Sequence, residues 1–86
     1  MVIYDDKKAG KLKIERDIDI CEIIALILEK KYIEILEHPN KNNQFLFVLM
    51  YKSYIHVVPF IFDKNDNIVI KTVFPSRKFH KIYKGV

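Results

Sequence analysis

Between Gln44 and Phe74 more than half of the residues are β-branched or aromatic, the types that favour strands. Three runs, residues 44–51, 54–62 and 68–74, are dominated by Val, Ile, Phe and Tyr, and only Lys52 and Ser53 separate the first two. A two-residue turn leaves no room for a crossover, so the next strand has to return antiparallel beside the last. Residues 63–67 make a longer turn before the third run, and the whole stretch predicts an antiparallel meander. Pro59 sits inside the middle run and has no N–H to give a ladder, which predicts a bulge or break there.

What precedes the meander is helical. Asp5 or Asp6 can cap a first helix reaching about Arg16, with Ala9, Leu12 and Ile14 as its inward residues, although Gly10 weakens it. Asp19 and Glu22 have the spacing of a capping box. Ile20, Ile23, Ile24, Ile27 and Leu28 follow at helical spacing, and Cys21, Ala25 and Leu26 widen the apolar surface, so this second helix is expected to be deeply packed. Lys30 and Lys31 suit the negative end of its dipole. Val2-Ile3-Tyr4 reads as a short edge strand, and residues 32–36 as a strand or a helix extension. Pro39 and the polar run after it form a loop, and Ser76 can cap a last short helix to about Tyr83. The architecture expected is an α+β two-layer domain: N-terminal helices on one face of an antiparallel sheet, then a short basic helix.

Length and composition narrow what such a domain can do. Eighty-six residues, half of them hydrophobic, make one core rather than two, with a stability on the order of 5–10 kcal/mol. A single cysteine excludes an intrachain disulfide and a multi-cysteine zinc cage, and fits a reducing, cytoplasmic setting. No apolar run is long enough to span a bilayer, and Asp5 and Asp6 follow Met1 where a signal peptide would be basic and then apolar, so no membrane association is expected. Two glycines leave no Gly-rich phosphate loop, and no cofactor is expected.

The net charge of +4 is unevenly spread. Residues 1–40 hold seven basic and nine acidic side chains, a net of −2, whereas residues 41–86 hold eight basic and two acidic, a net of +6. Beyond Asp66 there is no acid, while Lys71, Arg77, Lys78, Lys81 and Lys84 follow. A one-sided basic end is the footprint of a polyanion partner, or else the solvated face of a lysine-rich chain.

The same end carries a resemblance. Tyr54-Ile55-His56-Val57-Val58-Pro59-Phe60, then Ile70-Lys71-Thr72-Val73-Phe74-Pro75-Ser76-Arg77-Lys78, is similar to the closing pattern of BrnT-type toxins of prokaryotic toxin–antitoxin pairs. Arg16-Asp17-Ile18-Asp19-Ile20-Cys21-Glu22 and Leu36-Glu37-His38-Pro39-Asn40 resemble two further segments of that family, so the likeness runs from about residue 12 to 83. It implies a RelE-like fold, ribonuclease activity on RNA (free or ribosome-bound mRNA), and neutralisation by a small DNA-binding antitoxin of ribbon-helix-helix type. Three positions depart from the pattern: Asp17 stands where glycine is common, the usual N-terminal tryptophan is absent, and Phe79-His80 follows the Pro-Ser-Arg-Lys element.

Cleaving RNA through its 2′-hydroxyl requires a base, a cation for the phosphorane and a proton source for the departing 5′-oxygen, none of which need be a metal. Arg77 is the best phosphate clamp, because a guanidinium can grip two oxygens at once, and Lys71 and Lys78 add positive potential. His56, His80 and His38 are the candidate acid–base groups. His56 can equally be a sheet-face histidine with one hydrogen bond, and His38 a residue that fixes a turn. Lys81, Ser76, Tyr54 and Tyr83 complete an RNA-contacting set, and Tyr51 offers another ring for base stacking. The five phenylalanines from Phe45 to Phe74 belong to the core or to a partner surface, and Cys21 to the core. The residues from Lys71 to Lys84 are expected to converge on one cationic pocket. Besides a ribonuclease toxin, the pattern allows a non-catalytic part of a DNA-binding repressor complex and a plain RNA-binding domain.

Overall fold

The structure, a computed structural model, describes residues 1–83. In chain order it has β1 (Val2–Ile3), α1 (Asp6–Arg16), α2 (Ile20–Leu28), β2 (Tyr32–Glu37), β3 (Phe45–Tyr51), β4 (Tyr54–Phe62), β5 (Ile68–Ile70), β6 (Phe74–Pro75) and α3 (Arg77–Tyr83). This is a small α+β domain with three helices and a six-stranded sheet among the described residues. Lys84, counted above in the basic end, lies outside them.

Local chemistry accounts for the helix ends. The Asp5 carboxylate accepts from the N–H groups of Lys7 and Lys8 at 2.9 and 3.1 Å, and that of Asp19 accepts from Cys21 N–H at 2.9 Å. Helix α1 stops at Asp17, which takes a left-handed conformation (φ 54°) usually reserved for glycine, with its N–H on the Lys13 carbonyl. The side chain that glycine would lack is used here. Its carboxylate accepts from Lys13 Nζ and Lys52 Nζ, both at 3.0 Å, and Lys52 also bonds the Asp17 carbonyl at 2.8 Å. The end of α1 is thereby tied to the β3–β4 hairpin, and the two ammonium groups hold the Asp17 carboxyl below its ordinary range. In that hairpin Lys52 and Ser53 both have positive φ, 51° and 64°, as a two-residue type I′ turn demands.

The strands run in the order β1-β5-β4-β3-β2, with β6 also on β4. The sheet is mixed rather than wholly antiparallel: β1 lies parallel to β5, Val2 opposite Ile68. The third strand-like run is not continuous either. Lys71 N–H donates to the Pro59 carbonyl at 2.8 Å. A strand residue turns its N–H and C=O toward the same neighbour, so the donor that Pro59 lacks is missing on that side. Strand β4 runs straight through, and it is the partner that breaks. Residues 71–73 bow out, leaving β5 paired at Phe60↔Ile70 and β6 at Val57↔Phe74. The Val73 carbonyl is then bound by Arg16 Nη1 at 2.9 Å.

Alternation along β3 and β4 sorts the sheet into two faces. Phe47, Leu49, Tyr51, Val58 and Phe60 meet Leu12, Ile18, Ile23 and Ile27 of the first two helices in the main core. Leu46, Val48, Ile55 and Val57 point the other way and are equally buried. That second face lies under α3, whose Tyr83 hydroxyl donates to the Glu34 carboxylate on β2, across the sheet. The expected two layers are therefore corrected: α1 and α2 pack on one face and α3 on the other. Helix α2 is less deeply packed than its composition predicts, with Ile23 and Ile27 buried but Cys21 exposed and Leu28 64% exposed. At 100° per residue Cys21, Ala25 and Leu28 share the side opposite Ile20, Ile23 and Ile27, and a helix packed on one side leaves that far side in solvent whatever its composition. Ile14, expected to face in, is 85% exposed on α1. Among the described residues no helix is long and apolar enough to cross a membrane.

Candidate functional site

The β4 edge beside the hairpin gathers the most chemistry. Ser76 N–H donates to the Ile55 carbonyl at 3.0 Å, and the Ser76 hydroxyl accepts from Phe79 N–H at 3.2 Å. These two bonds launch α3 from the strand edge and cap its first turn. One turn on, the His80 ring stacks on Tyr54 with centroids 4.0 Å apart and planes 7° apart. His80 Nδ1 accepts from Ile55 N–H at 3.2 Å. A nitrogen that accepts carries no proton, so the neutral ring bears its proton on Nε2.

Tyr54 also touches His56 edge to face, at 6.3 Å, and Tyr51 does the same at 5.3 Å. His56 is only 6% exposed, and its Nδ1–H donates to the Tyr54 carbonyl at 2.9 Å. Burial pushes its pKa below the ordinary imidazole value, the bond to Tyr54 partly offsets this, and the Lys52 ammonium lowers it further. His56 is thus the sheet-face histidine with one hydrogen bond, held neutral.

A stability prediction follows from that depressed pKa. The unfolded chain binds a proton at its ordinary value of 6.5, while the folded chain resists until lower pH. Unfolding therefore takes up protons below pH 6.5, and stability rises as pH climbs back through that window. Urea denaturation at a series of pH values should show the fall toward acid pH, and His56→Asn, which keeps a donor for the Tyr54 carbonyl, should flatten it. Equal slopes for the two proteins would remove His56 as the cause.

On α3 the residues Arg77, His80 and Lys81 are spaced i, i+3, i+4 and share one side, while Phe79 and Tyr83 share the side toward the sheet. Arg77, Lys78 and Lys81 are exposed, and no ion pair holds them among the described residues. The Lys78 ammonium lies over the Phe79 ring at 5.8 Å. The structure thus brings Tyr54, His56 and His80 together, and Arg77 and Lys81 stand exposed on the same helix as His80.

Other candidates are dispersed. Lys71 is on the bulge, lining a cleft of about 340 Å³ with His38, Lys41 and Phe79, so the single pocket expected from Lys71 to Lys84 is instead two basic regions. His38 Nδ1 accepts from Asn40 N–H at 3.1 Å and fixes the β2–β3 turn. The Tyr83 hydroxyl is engaged by Glu34, which raises its pKa, and the carboxylate beside it disfavours a phosphate. Tyr51 is buried, its hydroxyl oxygen accepting from Asp19 N–H at 3.1 Å, so it belongs to the core rather than to a stacking platform. Among the described residues no three His, Cys, Asp or Glu side chains are placed to share a metal ion. Sequence reasoning missed Lys8 and Lys11, which the fold sets near Lys71 in a second cleft; the acidic balance of the first forty residues hid them. Compared with protein-family models, curated proteins and solved structures, the chain matches none.

Proposed function

We propose that this chain is a slow ribonuclease that works by phosphate electrostatics, and, from the motif resemblance, a RelE-like toxin of BrnT type held in check by an antitoxin. The observation that carries the reading is the His80 ring, braced by Tyr54 and by Ile55 N–H, with its Nε2–H not used in that bracing, on the short helix that also carries the exposed Arg77 and Lys81.

A neutral imidazole whose Nδ1 is already bonded is a hydrogen-bond donor, not a proton shuttle. In this reading Arg77 grips the two non-bridging oxygens of the scissile phosphate, Lys81 adds positive potential, and His80 Nε2–H gives one of those oxygens a second donor as charge grows in the phosphorane. The 2′-oxygen gives its proton to solvent and bonds to phosphorus. The bond from phosphorus to the 5′-oxygen breaks, and that oxygen takes a proton from solvent. The products are a 2′,3′-cyclic phosphate and a 5′-hydroxyl. With His56 buried and His80 Nδ1 engaged, no histidine of the cluster is free to act as a base among the described residues, so the rate is modest, which suits a toxin aided by ribosome-bound mRNA geometry. A small ribbon-helix-helix antitoxin with acidic residues would complement Arg77, Lys78 and Lys81.

The same lack of a base favours one other reading, an RNA-binding domain without catalysis. One experiment separates them. Expression of the wild-type chain should arrest bacterial growth and leave RNA fragments with 2′,3′-cyclic phosphate ends, and Arg77→Ala, an exposed position, should abolish both while the protein stays folded. Intact RNA and unhindered growth with wild type would refute the ribonuclease and leave the binding module.

A further inference from the structure

The bulge at Lys71 and Thr72 belongs to two clefts at once. On one side it meets α1 in a cleft of about 300 Å³ lined by Lys8, Lys11, Glu15 and Arg16. On the other it meets the β2–β3 loop and α3 in the cleft that holds Lys41 and Phe79. The first cleft therefore presents four cations, counting Lys71, against one carboxylate, and that carboxylate is already within 3.9 Å of the Lys11 ammonium. The second adds Lys41 with no acid in its lining. Arg16 spends one nitrogen on the Val73 carbonyl and keeps further N–H donors.

Position along β4 links the clefts to the cluster. Lys71 is bonded to Pro59 and His80 to Ile55, four residues apart on an extended strand, or about 13 Å. The two clefts thus set cations along one sheet edge, from α1 to the bulge and the β2–β3 loop, with the basic residues of α3 further along the same strand. Cations spaced along an edge match a chain of evenly spaced negative charges, and a flexible single strand can follow the edge from one cleft over the bulge into the other.

We infer that the Lys71–Thr72 saddle and its two clefts form a phosphate track for single-stranded RNA, with Lys8 and Lys11 of α1 as its distal contacts. The identity of the polymer as RNA rests on the ribonuclease reading above; the track itself rests on the clefts. The break that Pro59 imposes on the sheet is then what opens the edge to a polyanion.

The test is the salt dependence of binding to a short fluorescein-labelled 2′-O-methyl oligoribonucleotide, which cannot be cleaved through a 2′-hydroxyl. Each single-strand phosphate contact contributes about 0.7 to the slope of log K against log salt, so Lys8→Ala/Lys11→Ala should lower the slope by about 1.4. Lys31→Ala/Lys64→Ala, which removes equal charge away from both clefts, should leave it unchanged. Equal slopes for all three proteins, or equal losses in both variants, would overturn the track. So would a poly-glutamate peptide that binds wild type more tightly than the oligonucleotide, since the clefts would then serve an acidic protein segment. Failure of the two readings is separable. A lowered slope without any cleavage of ordinary RNA upholds the track and sinks the ribonuclease, and cleavage with an unchanged slope does the reverse.

Discussion

His80→Asn is expected to slow RNA cleavage by about 10²–10³, the cost of losing one preorganised donor to a developing oxyanion. Asparagine can keep an acceptor for Ile55 N–H where Nδ1 stood, so the launch of α3 survives, but it has nothing at the Nε2 position. His80→Gln makes the converse change, keeping a donor near Nε2 and losing the acceptor. It should retain much more activity than the asparagine variant while unfolding at lower denaturant, because Ile55 is half of a buried strand edge whose N–H then lacks its partner. Single-turnover cleavage of a labelled oligoribonucleotide, read beside urea midpoints, separates the two contributions. If the asparagine variant cleaves at the wild-type rate, His80 is a structural ring and the proposed chemistry loses its donor.

Phe60→Ala should cost about 3–5 kcal/mol, as large-to-small changes at buried aromatic positions do. Phe60 is 1% exposed, stacks on Phe47 at 4.2 Å and meets Phe62 edge to face at 5.5 Å, so its truncation removes packing against both rings at once. For a domain whose whole stability is of the order of 5–10 kcal/mol, that is a large fraction, and the melting temperature should drop by about 4–8 °C for each kcal/mol. Phe62→Ala is the matched control. It lies two residues along the same strand and on the same face, yet Phe62 is 50% exposed, so its truncation should cost clearly less than that of Phe60. Equal losses at the two positions would mean that the core does not sit where the packing of α1 and α2 puts it.

Neither effect can be ranked from the residue types alone, since the alternation that places Phe60 and Phe62 on one face does not say where the helices stop covering it. The same holds at Cys21 and Ile14, both apolar positions on helical faces that the fold leaves exposed. Pro59 is the reverse case. Its missing donor was legible as a disturbance, but whether the strand itself or its partner would yield depended on which neighbour the absent N–H faced.

From the order of its residues alone, this protein has its first helix start at Asp5 or Asp6, its second at Asp19, its hairpin at Lys52 and Ser53, the two long strands that flank that hairpin and the cap at Ser76. Those follow from backbone chemistry acting over a few residues, where side-chain period and hydrogen-bonding groups decide within the segment. The parallel placing of β1, the crossing of α3 to the second face, the stacking of His80 on Tyr54 and the meeting of Lys8 and Lys11 with Lys71 were decided only in three dimensions. Each joins segments distant in the chain, and such contacts are selected by the burial of two faces at once, a condition that no single segment carries.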